Sequence, residues 1–414
     1  MERGQPVVAG VAIAFIGYTS TFAAVLAGLR AVGADRAEAT SGLVALCLLL
    51  GLGTLWLSRR TRMPITAAWS TPGAAVLTSA GQVAGGWQAA VGGFLVAGAL
   101  VTLTGLWPRL GALVAAIPAP IAQAMLAGVL LELCLVPVKA LSSHPREVVP
   151  ILVTWLIVMV TAPRWAVLAA FGATAVVVGF LAARGEGLHG PWLPQLALTA
   201  PHLSWAAIAG IALPLYVVTM AAQNVPGIAI MSSFGYQVPW RASMTVTGVG
   251  SVLAAPFGGH AVNLAAISAA LPASPEAHPE PARRWLASQA FAVTYLGLAA
   301  GTTALTSFLA VAPADVVGTV AGLGLLGTLG HALTAAVVGP GGTGSASTPA
   351  STPASVSSAD RTAATVTFVV AASGTTLAGV SSAFWALVAG LLVRLAFTAS
   401  PRSSEAKSVE DEPA

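Results

Sequence analysis

Residues 64–75 read Pro64-Ile-Thr-Ala-Ala-Trp-Ser-Thr-Pro-Gly-Ala-Ala75, and residues 255–271 read Ala255-Pro-Phe-Gly-Gly-His-Ala-Val-Asn-Leu-Ala-Ala-Ile-Ser-Ala-Ala-Leu271. Both lie where a membrane-crossing helix is expected, and neither suits an uninterrupted one. Pro72 lacks an N–H and its fixed φ suits a first helical turn, with Ser70 or Thr71 as N-cap. A half-helix starting at mid-membrane follows. In the second stretch Gly258 and Gly259 permit close backbone approach, and His260 and Asn263 offer side-chain hydrogen bonds. The remaining residues, about twelve, are too few to cross a bilayer. Irregular backbone is tolerated in lipid only where protein or a watery cavity satisfies it, and the open N–H groups of a helix start favour an anion. Two half-helices aiming their N-termini at each other predict a site for a carboxylate or similar small anion. Ser70, Thr71, Gly73 and the backbone of Gly259 and His260 would hold it.

The chain around these stretches has 414 residues, 56% hydrophobic and 8% charged, with a mean hydropathy of +0.85; soluble domains carry about 25% charged residues. It therefore reads as an integral membrane protein. Apolar windows bounded by Arg, Pro or Gly fall at residues 6–29, 40–57, 64–80, 88–106, 118–136, 148–162 and 165–183. A second set follows at 204–231, 240–256, 259–272, 284–308, 315–338, 362–374 and 376–397. At ~20 residues per crossing, fourteen spans leave no room for a soluble domain. Seven per half is an odd number, so two copies of one unit must lie in opposite orientations, the inverted-repeat architecture of secondary transporters.

The first repeat is expected over 1–184 and the second over 204–398. A Gly- and Pro-containing joint at 185–203 connects them. Residues 340–359, rich in Gly, Ser, Thr and Pro, read as a flexible linker, and 399–414 as a cytoplasmic tail. With the N-terminus inside, thirteen of the 18 Lys and Arg residues fall on the inner side; the outer side keeps Arg30, Arg36, Lys139, Arg146 and Arg184. That asymmetry places both termini in the cytoplasm. Trp87, Trp107, Trp165, Trp205, Trp240 and Trp285 lie near span ends, where an interfacial aromatic belt is expected.

Amides and ionisable groups inside the spans are few. Gln223 and Asn224 are adjacent amides just before Pro226-Gly in the eighth span; such amides bridge membrane helices as readily as they bind ligands. Tyr18-Thr-Ser-Thr21 lies at similar depth in the first span. The ionisable groups are Glu132, His260 and His331, each a candidate for function because of its cost in lipid. Glu132 lies toward the outer end of its span, within reach of the interface or Lys139, and His331 is expected to pack among small residues. His260, titrating near neutrality when unperturbed, is the better candidate to carry a coupled proton, with Glu132 the second. Cys47 and Cys134 are isolated from each other in apolar runs, so neither a disulfide nor a metal site is indicated. No cofactor is implied. The thinly spread net charge of +4 makes nucleic acid an improbable partner.

The segments Ile65-Thr-Ala-Ala-Trp-Ser-Thr-Pro-Gly-Ala-Ala, Gln223-Asn-Val-Pro-Gly and Pro256-Phe-Gly-Gly-His-Ala-Val-Asn-Leu-Ala-Ala-Ile together resemble the BenE type of benzoate:proton symporter. Ala371-Ala-Ser-Gly and Ala383-Phe-Trp-Ala-Leu-Val-Ala-Gly also fit it. The resemblance covers nearly the whole chain, apart from the insertion at 340–359. It implies a bacterial inner-membrane carrier that imports an aromatic carboxylate with a proton. The implied fold is shared with nucleobase and sulfate transporters: fourteen spans in two inverted repeats. It further implies a core of spans 1–4 and 8–11 moving against a gate of spans 5–7 and 12–14, and a homodimer. In the related nucleobase carriers acidic residues on spans eight and ten grip neutral substrates. Here that region shows Gln223, Asn224, His260 and Asn263, which agrees with an anionic substrate that a buried carboxylate would repel.

The resulting expectation is import of benzoate or a similar aromatic carboxylate, with Gln223, Asn224 and Asn263 orienting the carboxylate and Tyr18 facing the ring. Two rivals are weighed. A carrier or channel for an inorganic anion such as sulfate or chloride would use the same helix starts but need no aromatic wall. A polytopic membrane enzyme would need a cluster of Asp, Glu or His at a membrane face, and no loop carries one.

Overall fold

The computed structural model describes residues 4–185, 190–339 and 356–399. The tail from 400 and most of the expected linker lie outside them; the linker's last two residues, 358 and 359, belong to a helix that starts at Ser358 and is capped by the Ser357 side chain.

The first seven spans are Gln5–Ala31, Arg36–Thr61, the broken third span, Gly86–Leu106, Ala119–Ser143, Pro145–Thr161 and Ala166–Arg184. The second seven are Trp205–Ser233, Trp240–Ala254, the broken tenth span, Trp285–Leu309, Ala314–Val338, Ser358–Ala372 and Ser382–Ala399. Among the described residues eight helices are long and apolar enough to cross a membrane unaided. A short helix, Pro108–Ala115, fills what reads in sequence as a plain connection. The hairpin of the last two spans turns over 373–381, a longer connection than the apolar windows indicate, so the last helix starts at Ser382 rather than near 376.

The packing repeats when the halves are exchanged. The second span lies along the eleventh and the ninth along the fourth; the fifth meets the twelfth, and the third meets the tenth. This is the fourteen-span, seven-plus-seven inverted-repeat fold expected from the sequence.

The third and tenth spans meet through backbone. β1 (Ala67–Trp69) and β2 (Val262–Leu264) pair antiparallel, with Ala67 opposite Leu264, Ala68 opposite Asn263 and Trp69 opposite Val262. The Ser70 N–H donates to the Ala261 carbonyl (3.1 Å) and the Ala265 N–H to that of Thr66 (2.9 Å), extending the ribbon at both ends. A two-stranded ribbon has two open edges, which lipid cannot satisfy. Side chains close them. The Ala67 N–H donates to Thr54 Oγ1 of the second span (2.8 Å), and the Val262 N–H to Ser251 Oγ of the ninth (2.8 Å). Equivalent spans of the two halves thus supply one hydroxyl each.

From β1 the chain enters the helix Thr71–Ala80, whose N-cap is Ser70. From β2 it enters two short turns, Ile267–Ala269 and Ala270–Ala273, so the second half-helix is much shorter than the first. Gly258, at φ +90°, turns the chain out of the ninth span; a Cβ there would lie 2.9 Å from the Trp87 ring and 3.0 Å from the Glu38 carbonyl oxygen. Gly28 lets the first span touch the third, since its Cβ would sit 2.5 Å from the Ala74 carbonyl oxygen.

The joint between the halves is a strap. Its Thr199 N–H donates to the Pro256 carbonyl (2.8 Å) and its His202 N–H to that of Gln88 (2.9 Å). Ala197 is held by Ser41 Oγ and Pro191 by Ser307 Oγ. Trp87, expected in the interfacial belt, is buried and donates its indole N–H to Thr199 (3.0 Å). Trp107, Trp165 and Trp205 are exposed.

Replacing Thr54 with Val, close in shape but without an acceptor, is expected to strand the Ala67 N–H and cost about 1–3 kcal/mol. A lowered unfolding temperature of Thr54→Val in detergent, compared with Thr365→Val, an exposed threonine that bonds only its own helix, measures this.

Candidate functional site

The ribbon and the start of the Thr71–Ala80 helix form the candidate site. Ser70 Oγ accepts the Gly73 N–H (3.0 Å) and bonds Thr219 Oγ1 of the eighth span (2.9 Å). The Ser70 carbonyl accepts the Ala74 N–H (2.8 Å) and lies 2.8 Å from His260 Nε2. Pro72 has no N–H to offer. The donors left open at this helix start are the N–H and hydroxyl of Thr71, which have no intramolecular partner among the described residues. The cradle is therefore narrower than the sequence implies. Gly73 is engaged by its own cap, and the Gly259 N–H closes the preceding turn on the Ala254 carbonyl (2.9 Å).

His260 is fully buried, with the Phe94 ring edge-on at 6.4 Å between centroids. Because a carbonyl only accepts, Nε2 carries the hydrogen of the neutral imidazole and Nδ1 presents a lone pair. Nδ1 is buried without a partner. Asn263 is also fully buried, and neither its Oδ1 nor its Nδ2 is hydrogen-bonded. Thr66 Oγ1, on the same ribbon, is likewise unpartnered.

Gln223 and Asn224 take a structural part. Asn224 Oδ1 accepts the Leu264 N–H (2.8 Å), closing the edge of β2, and its Nδ2 meets Met220 Sδ (3.2 Å). Gln223 Oε1 accepts the Ala266 N–H (3.3 Å). Adjacent residues of a regular helix point about 100° apart. Here the segment Met220–Asn224 is a π-helical turn, the wider winding found at functional positions in helices, and both amides reach the same strand end.

Tyr18 is buried and bonded through its hydroxyl to Thr302 of the eleventh span (2.9 Å). Its ring joins Trp69 (5.6 Å between centroids) and Tyr295 (6.1 Å), and Trp69 meets Tyr295 edge-on at 5.8 Å. The Trp69 indole donates to Thr21 Oγ1 (2.7 Å). This aromatic wall adjoins Ser70 directly through Trp69.

The remaining ionisable candidates lie apart. Glu132 is exposed on the fifth span and pairs with no basic residue among those described, Lys139 included. His331 is exposed, against the expectation that it packs among small residues; its helix turns that face away from the protein. No group of His, Cys, Asp or Glu able to hold a metal occurs among the described residues.

Sequence reasoning missed Thr54, Ser251, Thr219 and Tyr295 as parts of this assembly. Nothing local marks them: each is one hydroxyl in an apolar helix, and its importance comes from the strand or ring it meets. Trp69 lies inside the quoted motif, between β1 and the capping serine, and that position was the available signal.

The family model described as benzoate membrane transport protein matches residues 3–396. The chain belongs to the BenE family. This BenE-family chain is a multi-pass membrane transport protein. It is 36% identical over 389 residues to the inner membrane protein YdcO of Escherichia coli, covering 92% of this chain and 93% of that one. It is 28% identical over 340 residues to the benzoate membrane transport protein of Acinetobacter baylyi, covering 82% and 81%. Among solved structures it resembles the transmembrane domain of a cyanobacterial bicarbonate transporter, BicA, at a TM-score of 0.61 and 16% identity, covering 94% of this chain and 97% of that one. It also resembles the murine Solute Carrier 26 family member A9 anion transporter in its inward-facing state, at 0.62 and 13%, covering 95% and 68%. At these identities the likeness shows a shared fold.

Ser70→Ala removes the cap on Gly73 and the bond to Thr219. A loss of about 0.5–2 kcal/mol is expected from the cap alone, read as a lower unfolding temperature of the purified protein.

Proposed function

We propose that this BenE-family protein imports benzoate or a similar aromatic carboxylate together with a proton across the bacterial inner membrane, with both termini cytoplasmic. The observation that carries the reading is the open Thr71 N–H and hydroxyl at the start of a helix inside the bilayer, next to the wall of Trp69, Tyr18 and Tyr295. Such a helix start attracts a carboxylate, and the wall offers apolar contact to a ring. An inorganic anion would use the helix start and leave the aromatic rings without a role.

The proton follows from charge. The ribbon contributes no carboxylate and the second span carries its one, Glu38, at its start, away from the ribbon's contact with Thr54; the nearest ionisable ring, His260, faces a carbonyl in its neutral form. A carboxylate buried there alone is costly, so a proton entering with it removes the penalty. His260 and Glu132 are the protein groups able to take that proton. Electroneutral symport of this kind draws on the pH gradient. The fifth span packs against both the Thr71–Ala80 helix and the Met220–Asn224 turn. That contact supports a gate of spans 5–7 and 12–14 moving against a core of spans 1–4 and 8–11 to uncover the site.

The test is uptake of radiolabelled benzoate into proteoliposomes under an inward proton gradient. Gradient-driven uptake competed by aromatic acids is expected; no uptake, or competition by sulfate or chloride alone, overturns the reading. In the same assay Thr71→Val should weaken benzoate binding about tenfold or more, as loss of a hydrogen bond to a charged group does, and leave the unfolding temperature unchanged.

A further inference from the structure

Asn263 is the one amide near the ribbon whose two polar atoms are both unspent. Asn224 Oδ1 accepts from the Leu264 N–H and Gln223 Oε1 from that of Ala266, while Asn263 Oδ1 and Nδ2 are buried with no partner among the described residues. An amide left so in a membrane interior is expensive unless something else completes it. In an antiparallel ribbon paired residues share a face and alternate residues return to it. Asn263, opposite Ala68, therefore lies on the same face as Ala68 and Ser70.

A carboxamide offers one donor and one acceptor side by side. A protonated carboxyl group offers the same pair reversed: its O–H donates and its C=O accepts. The two close a ring of two hydrogen bonds, N–H to carbonyl and O–H to amide oxygen. A carboxylate only accepts, so it would satisfy Nδ2 and set its negative charge against Oδ1. We propose, building on the aromatic-carboxylate reading above, that Asn263 binds the substrate as the neutral acid, so that the coupled proton rides on the substrate's own carboxyl group and not on a protein side chain. No proton is then transferred to the protein. The second lone pair of the acid's carbonyl remains for Thr71.

The surroundings offer no competing titratable partner. The third and fourth spans carry none. On the second span Arg36 and Glu38 stand at its start, Arg59 and Arg60 at its end, and Cys47 faces Thr302. Arg241 begins the ninth span, and Tyr216 of the eighth faces Thr104. On the first span Tyr18 is bonded to Thr302, and on the fifth Glu132 is exposed, which leaves His260, whose Nε2–H is held by Ser70. A protonated His260 beside a bound carboxylate is the alternative, and it carries the same single proton, so pH dependence alone does not separate the two.

Competitor chemistry does. Benzamide reproduces the hydrogen-bond pattern of the neutral acid at every pH, whereas benzenesulfonate is a permanent anion. In wild-type proteoliposomes taking up radiolabelled benzoate, benzamide should inhibit at least about tenfold better than benzenesulfonate, with an inhibition constant flat from pH 5.5 to 7.5. Asn263→Leu should abolish the direct binding of benzamide to the purified protein, read by titration calorimetry. Benzenesulfonate inhibiting as well as or better than benzamide, or benzamide failing to inhibit, overturns the proposal and returns the proton to His260. Both comparisons use the wild-type protein, so a misfolded variant does not decide the result. Absence of benzoate uptake would instead count against the aromatic-carboxylate reading itself.

Discussion

Everything in this structure depends on a short piece of β-ribbon standing where only helix is easy. Backbone N–H and C=O groups in a bilayer interior find no water, so each must be matched by protein. The chain meets that demand by pairing the third span with the tenth and by sending single hydroxyls and amides from the second, eighth and ninth spans to the ribbon's edges. Interrupting two helices opens a helix start in the middle of the membrane, the feature a small acid can use.

The cost of the interruption also explains how the polar residues are distributed. Most intramembrane hydroxyls bond back to their own helix, as Thr104 and Thr247 do. Of the others, Thr54 and Ser70 serve the ribbon, while Ser41 and Ser307 hold the strap. Gln223 and Asn224, which look most like substrate ligands in sequence, are drawn into backbone repair because a strand edge lies beside them. Asn263, within the broken tenth span, is left with its full hydrogen-bonding capacity.

The proposed symport would link proton and anion without needing a buried ion pair. A membrane interior penalises isolated charge of either sign, so a site built from amides, a helix start and a carbonyl-bound imidazole admits the pair as a neutral whole more easily than either charge alone. The aromatic wall adjoining Ser70 adds apolar contact suited to a ring. The strap from Pro191 to His202 ties the second, fourth, ninth and eleventh spans together around this centre, so the ribbon is held by both halves at once.

Much of this was legible in the residues themselves. Apolar run length dictates how many times the chain crosses, and the odd number per half dictates inversion. Pro72 behind Ser70, and Gly258-Gly-His260, mark breaks because proline cannot donate and glycine alone tolerates the turn. Those are local consequences of covalent geometry, and a sequence carries them in full. What it does not carry is which group a side chain meets across the bundle. Asn224 and Asn263 are chemically identical; one is spent on a strand edge and one is open because of register and the π-turn at Met220–Asn224. Tyr18 belongs to a wall because Trp69 and Tyr295 arrive beside it, and Trp87 is buried because the strap crosses it. These pairings join residues far apart in the chain, and only the packed structure decides them.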